Sequence, residues 1–146
     1  MSSISNTIAN ELALLLFNNT DIPNIGDAAG LQNSAVAGSY YIHLHTADPG
    51  DAGTSATNEA AYGSYAAVAV PRSAAGWTVL LRAVENFSDI VFPTRSNVGT
   101  EVLTHWSIAK EIGTSVIVFK GSLVDPLTVT LNNAPRITAG SLDINF

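Results

Sequence analysis

From Tyr40 to Phe146 the chain alternates apolar and polar residues in short runs, and each run ends in turn-forming residues. A period of two sends successive side chains to opposite faces of an extended strand, so this pattern demands sheets with one face turned inward. The alternation is cleanest near the end. Leu127, Val129 and Leu131 alternate with Thr128 and Thr130, and Leu142, Ile144 and Phe146 alternate with Ser141, Asp143 and Asn145. Val102, Thr104, Trp106 and Ile108 face one way, and Glu101, Leu103, His105 and Ser107 face the other. The pattern predicts strands at 40–47, 64–70, 77–84, 86–92, 101–109, 115–121, 126–131 and 141–146. Turn chemistry separates them at Asp48-Pro49-Gly50, Ala75-Gly76, Asn97-Val98-Gly99, Asp125-Pro126, Asn132-Asn133 and Ala139-Gly140. About eight short strands predict a mainly β chain, an antiparallel β-sandwich of jelly-roll-like form.

One segment departs from this period. Ile4, Ile8, Leu12, Leu15 and Leu16 recur at helical spacing, with Ser2, Ser3 or Ser5 available as N-cap, which predicts a single α-helix over 3–17. Asn18-Asn19-Thr20 ends it, and Pro23 and Gly26 lie beyond. Ala13, Leu14 and Phe17 widen the apolar stripe, which suits a helix with two partners, its own β-domain and a neighbouring subunit. With neither an internal repeat nor a linker, the expectation is one domain over 1–146. Residues 1–39 form its N-terminal helix and arm, and 40–146 its β-sandwich.

A chain of 146 residues buries roughly 70% of its unfolded surface, enough for a core without staples. None are available, because there is no cysteine, and disulfides, thiolate metal sites and a Cys nucleophile are excluded together. Charge is unevenly laid out. The first 71 residues hold six acids and no Lys or Arg, whereas six acids balance six bases from Arg72 onward. The net charge of −6 offers no footprint for a phosphate backbone or an anionic membrane, so neither nucleic acid nor membrane is an expected partner. Charged residues are only 12% of the chain, against about 25% in ordinary domains. Such a surface suits a protein covered by its neighbours, or one kept soluble by hydroxyls and amides. The apolar run "LALLLF" is far shorter than the roughly 18 residues that cross a bilayer, and no basic segment precedes it as in a secretory signal.

The stretch "SYYIHLHTADPGDAGT" holds the one arrangement that resembles a metal site. His43 and His45 share a strand face, and Asp48 follows them. The plainer reading makes Tyr41, His43 and His45 a polar or interface side and Tyr40, Ile42 and Leu44 a core side. His105 is the only other histidine. Asp48-Pro49-Gly50 is explained as a type II turn, and Asp48 and Asp51 lack calcium-loop spacing. No nucleophile elbow or phosphate loop is present. Trp77 and Trp106 sit in strand runs and read as core rather than as sugar platforms. Arg72 and Arg82 read either as partners for acids of a neighbouring subunit or as ordinary rim charges. No catalytic, cofactor-binding or metal-binding residue is assigned, and no enzyme activity or cofactor is expected.

The order of pieces carries a further signal. An amphipathic helix is followed by "YIHLHTADPGDAGTSATNEAAYGSYAAVAVP", "IVFP", "THWSIA", "GSL" and "ITAGSLDI". This resembles a family of small tailed-bacteriophage virion proteins, labelled tail fibre proteins and similar to β-sandwich decoration (cement) proteins of capsids. Two positions depart from the family's pattern: Ala67 stands where Arg commonly follows Gly-x-Tyr-Ala, and Ser107 follows the Thr-His-aromatic triplet in place of an apolar residue or Gly. The resemblance implies a structural virion protein, assembled in the host cytoplasm, with no catalytic residues. The first expectation is a capsid decoration protein that binds the major capsid protein across subunit junctions. In it the helix and the 18–39 loop act as an arm, and the chain is a homo-oligomer, a trimer by expectation. The alternatives are a tail fibre, tip or adaptor module, against which the short, repeat-free chain counts, and a host-carbohydrate-binding β-sandwich.

Overall fold

The computed structural model describes residues 3–146. It is mainly β with one helix: α1 (Asn6–Asn18), then β1 (Ser39–His45), β2 (Val68–Pro71), β3 (Trp77–Leu80), β4 (Ala83–Asn86), β5 (Ile90–Val91), β6 (Thr100–Ala109), β7 (Ile117–Thr130), β8 (Arg136–Ile137) and β9 (Asp143–Asn145). The strands form three sheets, ordered β2-β1-β6-β7, β3-β4-β9 and β5-β8. The described strand pairings are antiparallel. The chain divides into two compact units. One comprises Met1–Ser39, Pro71–Ser88 and Thr138–Phe146, the other Tyr40–Val70 and Asp89–Ile137.

In the first unit α1 lies against β3 and β4. Ser5 is the N-cap, its hydroxyl accepting from the Ile8 amide, while the candidate cap Ser2 lies outside the described residues. Asn19 takes a left-handed conformation at the other end, where asparagine is tolerated, and the Thr20 amide returns to the Leu14 carbonyl. The fully buried stripe is Ala9, Ala13 and Phe17; the predicted stripe of Ile8, Leu12, Leu15 and Leu16 is only half-buried. Small residues at i and i+4 let the helix approach the sheet closely, so Phe17 reaches the rings of Trp77 (centroids 4.8 Å apart, 65° between planes) and Phe146 (6.4 Å, 87°). Arg72 and Arg82 both find partners within this unit. Arg72 donates from Nε to the Leu16 carbonyl at 2.6 Å, from Nη2 to Leu15 at 2.8 Å and from Nη1 to Ala37 at 3.0 Å, so its guanidinium caps α1. Arg82 donates to the Ile4 carbonyl at 3.0 Å.

Several strand boundaries differ from the alternation: the run 64–70 shortens to β2, 86–92 to β5 and 141–146 to β9, β8 has no counterpart in it, and two joints fall elsewhere. The run 77–84 is a hairpin, with Leu80 paired to Ala83 and Leu81-Arg82 as its turn. Leu81 has φ of +56°, a conformation usually left to Gly, Asn or Asp, so no turn signal stands in the sequence. In the second unit, 115–121 and 126–131 are one strand, β7, rather than two around an Asp125-Pro126 turn. Its pairing with β6 steps from Leu103–Leu127 to His105–Ser122, so the surplus residues of β7, Asp125 and Pro126 among them, form a bulge. Proline is compatible with a bulge on an edge strand, which keeps the ladder going on either side.

The four-stranded sheet has two unlike faces at its centre. Leu44, Trp106 and Gly121 lie in one row across it, and Ile42, Ile108 and Phe119 in the next. A Cβ at Gly121 would lie 2.6 Å from the Trp106 ring, which is why the smallest residue stands there. The opposite face carries the histidines.

Candidate functional site

Antiparallel pairing sets this polar face. His45 lies opposite His105, which lies opposite Ser122; His43 lies opposite Ser107, which lies opposite Lys120. The three histidines of the chain therefore share one side of one sheet, a proximity the sequence alone gives no means of finding for His105. They do not converge. His43 Nδ1 is 2.6 Å from Glu59 Oε1, His45 Nδ1 is 2.8 Å from the Thr57 carbonyl, and His105 Nδ1 is 2.8 Å from Thr104 Oγ1. Among the described residues no group of three or more His, Asp or Glu side chains is arranged to hold a metal ion.

His45 and Ser107 come nearest to catalytic geometry. His45 Nε2 lies 2.7 Å from Ser107 Oγ, the separation of a nucleophile and its base. A carbonyl can only accept, so Nδ1 carries the proton toward Thr57 and Nε2 accepts from the serine hydroxyl. Both side chains are fully buried, and no substrate carbonyl can reach Ser107. Burial holds the His45 pKa below its ordinary value, partly offset by the Thr57 hydrogen bond. The pair is therefore a neutral, satisfied piece of core. The Ser107 hydroxyl is what satisfies His45 Nε2.

Residues that the sequence offered no role hold the rest of the face. The Tyr65 hydroxyl hydrogen-bonds Glu59 and accepts from the Leu44 amide at 2.9 Å, and burial drives its pKa far above the ordinary tyrosine value. Glu101 accepts from the Ala61 and Tyr62 amides, fixing the loop beyond Glu59. Tyr62, its hydroxyl donating to the Pro93 carbonyl, is pushed up to about 12 by burial and by the charge of Glu101. Arg95 is buried and donates to the Asn97, Val98 and Val129 carbonyls. One atom on the face stays unsatisfied, His43 Nε2, which is buried without a hydrogen-bond partner.

Asp48 bonds to its own turn and to Lys120 rather than to a histidine. Its carboxylate accepts from the Gly50 amide at 2.8 Å, as the Asp-Pro-Gly turn requires, and from Lys120 Nζ at 3.0 Å. Both interactions, the amide first, hold its pKa below the usual carboxylate value. Lys120 also reaches Asp51 at 3.2 Å, and the two carboxylates raise its pKa. The cation between the two acids of "DPGD" is thus the protein's own ammonium. A depression of about 230 Å³ lies beside it, lined by Gly50, Asp51, Gly53 and residues 116–120. Neither tryptophan offers a sugar platform, since Trp77 and Trp106 are both buried.

The family model described as podophage GP4 fiber I protein gp80 matches residues 3–145. The chain belongs to that family. No curated protein matches it. As a member of this podophage fiber family it is a structural protein of a tailed-phage virion. Membership spans both compact units, so α1 and the β3-β4-β9 sheet are as much part of the family's fold as the histidine-bearing sheet.

Proposed function

We propose that this chain is a non-catalytic subunit of a podophage fibre, working through its surfaces as a homo-oligomer. The observation that carries the reading is the family match over residues 3–145 to a podophage fiber protein. The sealed His45–Ser107 pair supports it, because its buried hydroxyl and imidazole are closed to a substrate. The surface supports it too, with charged residues only 12% of the chain and interface centres being poor in Lys, Glu and Asp. Capsid decoration, with the major capsid protein as partner, is the second reading. It is favoured by the motifs between Tyr40 and Ile144 that resemble cement proteins. Immunogold labelling of intact virions separates the two. Gold confined to fibres is the expected result; gold spread evenly over the heads replaces the fibre reading with decoration, and unlabelled virions overturn both.

A further inference from the structure

Between β1 and β2 the chain makes an excursion across the histidine face. It leaves β1 at Thr46 and returns beside it at Asn58, where the Thr46 amide donates to the Asn58 carbonyl at 2.8 Å and His45 bridges Glu59. Its far end reaches β7. Lys120 pairs there with Asp48 and Asp51, Thr54 bridges Val116, and the Ser55 amide donates to the Ser115 carbonyl at 2.9 Å. The Ser115 amide donates back to Ser55 Oγ at 2.9 Å. β6 lies between β1 and β7, and Lys120 stands in one row with Ser107 and His43. Residues 46–57 therefore pass over β6 on the side of Ser107, as a lid hinged at the edge of β1 with its tip on β7. His43, His45 and Ser107 on that side are fully buried.

The fastenings at the tip are polar and few. Of residues 46–57 only Pro49 and Ser55 are buried, and Asp51 is fully exposed, so its ion pair with Lys120 is screened by water. A segment with so little apolar burial opens locally at low cost, while the β1–β6 ladder beneath it stays paired.

We propose that residues 46–57 form an acid-released lid whose sensor is His45. With the lid shut, His45 Nδ1 already donates to the Thr57 carbonyl, and an added proton on Nε2 points at Ser107 Oγ inside a buried layer. Three titratable groups face the ring: His43 along β1, His105 opposite on β6, and Glu59 on the returning chain, whose carboxylate His43 and Tyr65 share. Lys120 of β7, with Asp48 and Asp51 of the lid, forms the charged cluster at the tip. Burial is the largest influence on His45 and opposes its charge, as do both neighbouring imidazoles; the Thr57 carbonyl and Glu59 offset this only in part. Lifting the lid admits water and removes the penalty, so the open form binds the proton that the closed form refuses. The lid is then shut above about pH 6.5 and opens increasingly below it, by at most about tenfold per pH unit for one proton. Asp48 is held below the usual carboxylate range by the Gly50 amide and Lys120, so the tip pair outlasts that window and is not the trigger. The device belongs to the fold and holds for a fibre subunit and a decoration subunit alike.

Hydrogen exchange on the full chain tests it, read as protection factors so that the pH dependence of the chemical step drops out. The Ser55 and Ser115 amides are expected to lose about 10-fold or more of their protection between pH 7 and pH 5, while amides of the β1–β6 ladder keep theirs. His45→Gln is expected to make the protection of both amides equal at the two pH values, and His105→Gln to leave the dependence in place. Thr54→Cys combined with Val116→Cys sets a disulfide across the bridged pair in a chain without native cysteine. Oxidised, it is expected to abolish the loss, and reduction to restore it. Unchanged protection of Ser55 and Ser115 in the wild type overturns the inference. So does a loss shared equally by the β1–β6 ladder, which is global unfolding, or one that persists in the oxidised chain. A dependence that survives His45→Gln, or that His105→Gln removes, overturns the choice of sensor and with it the proposal.

Discussion

A buried histidine with both ring nitrogens occupied is a pH-dependent element of stability even where it does no chemistry. His45 is held neutral, with its folded-state pKa depressed by burial. The unfolded chain takes up that proton near pH 6.5, and the folded chain only at lower pH. His45 thus contributes fully above about pH 6.5, and its contribution falls as the solution is acidified toward the folded pKa, with a limiting slope of about 1.4 kcal/mol per pH unit. Asp48, depressed from the carboxylate range, loses its contribution only in stronger acid, so the two windows separate. His45→Gln is expected to lower stability at neutral pH by about 1–3 kcal/mol, through the unsatisfied Ser107 and Thr57 groups, and to flatten the dependence below about pH 6.5. Urea titrations at several pH values check both. Leu81 is a second residue-scale case. It is 59% exposed, so its left-handed backbone is not repaid by side-chain burial. Leu81→Asn should raise stability by about 0.5–1 kcal/mol, seen as a higher melting temperature; an unchanged or lower value removes the strain argument.

At the scale of elements, alternation finds the strands and misplaces their joints. β1 and β6 are legible because both alternate cleanly and pair along their shared length, Tyr41–Ala109 to His45–His105. The β3–β4 turn is not, because Leu-Leu-Arg-Ala carries no turn residue and the bend is imposed by the pairing on either side. β7 is misread for the opposite reason: Asp125-Pro126 carries turn chemistry, but an edge strand absorbs it as a bulge. The helix was legible in existence and not in orientation, since hydrophobicity ranks leucine above alanine while close packing on a sheet selects Ala9 and Ala13. The capping role of Arg72 was not legible, because a helix C-terminus attracts a guanidinium from any place the fold brings near, here from just after β2. Its geometry is planar and forked across two successive carbonyls, so lysine cannot replace it. Arg72→Lys is expected to cost about 2 kcal/mol and to speed amide exchange in the last turn of α1, Arg72→Met somewhat more. Exchange unchanged in residues 14–18 would contradict the capping role.

For the whole molecule, the decisive fact is that α1 belongs to a compact unit assembled from three separated segments, Met1–Ser39, Pro71–Ser88 and Thr138–Phe146. The sequence gives no sign of this, because contacts between segments so far apart leave no trace in local periodicity, and the first 39 residues read equally well as an arm. In the structure the helix supplies Phe17 to Trp77 and Phe146, and its carbonyls take up Arg72. Removing residues 1–17 therefore deletes a core wall and also strands a guanidinium. Each unit holds one tryptophan, Trp77 in the first and Trp106 in the second, so Trp77→Phe and Trp106→Phe make each unit report separately. In the truncated chain Trp77 emission is expected to shift to the red as the β3-β4-β9 sheet loses its cover. Trp106, buried against Gly121 in a sheet built without those residues, is expected to keep its native emission. Native emission from both would show that the helix is dispensable to the fold and free to serve as an arm. Loss of both would show that the second unit cannot hold its structure without the first.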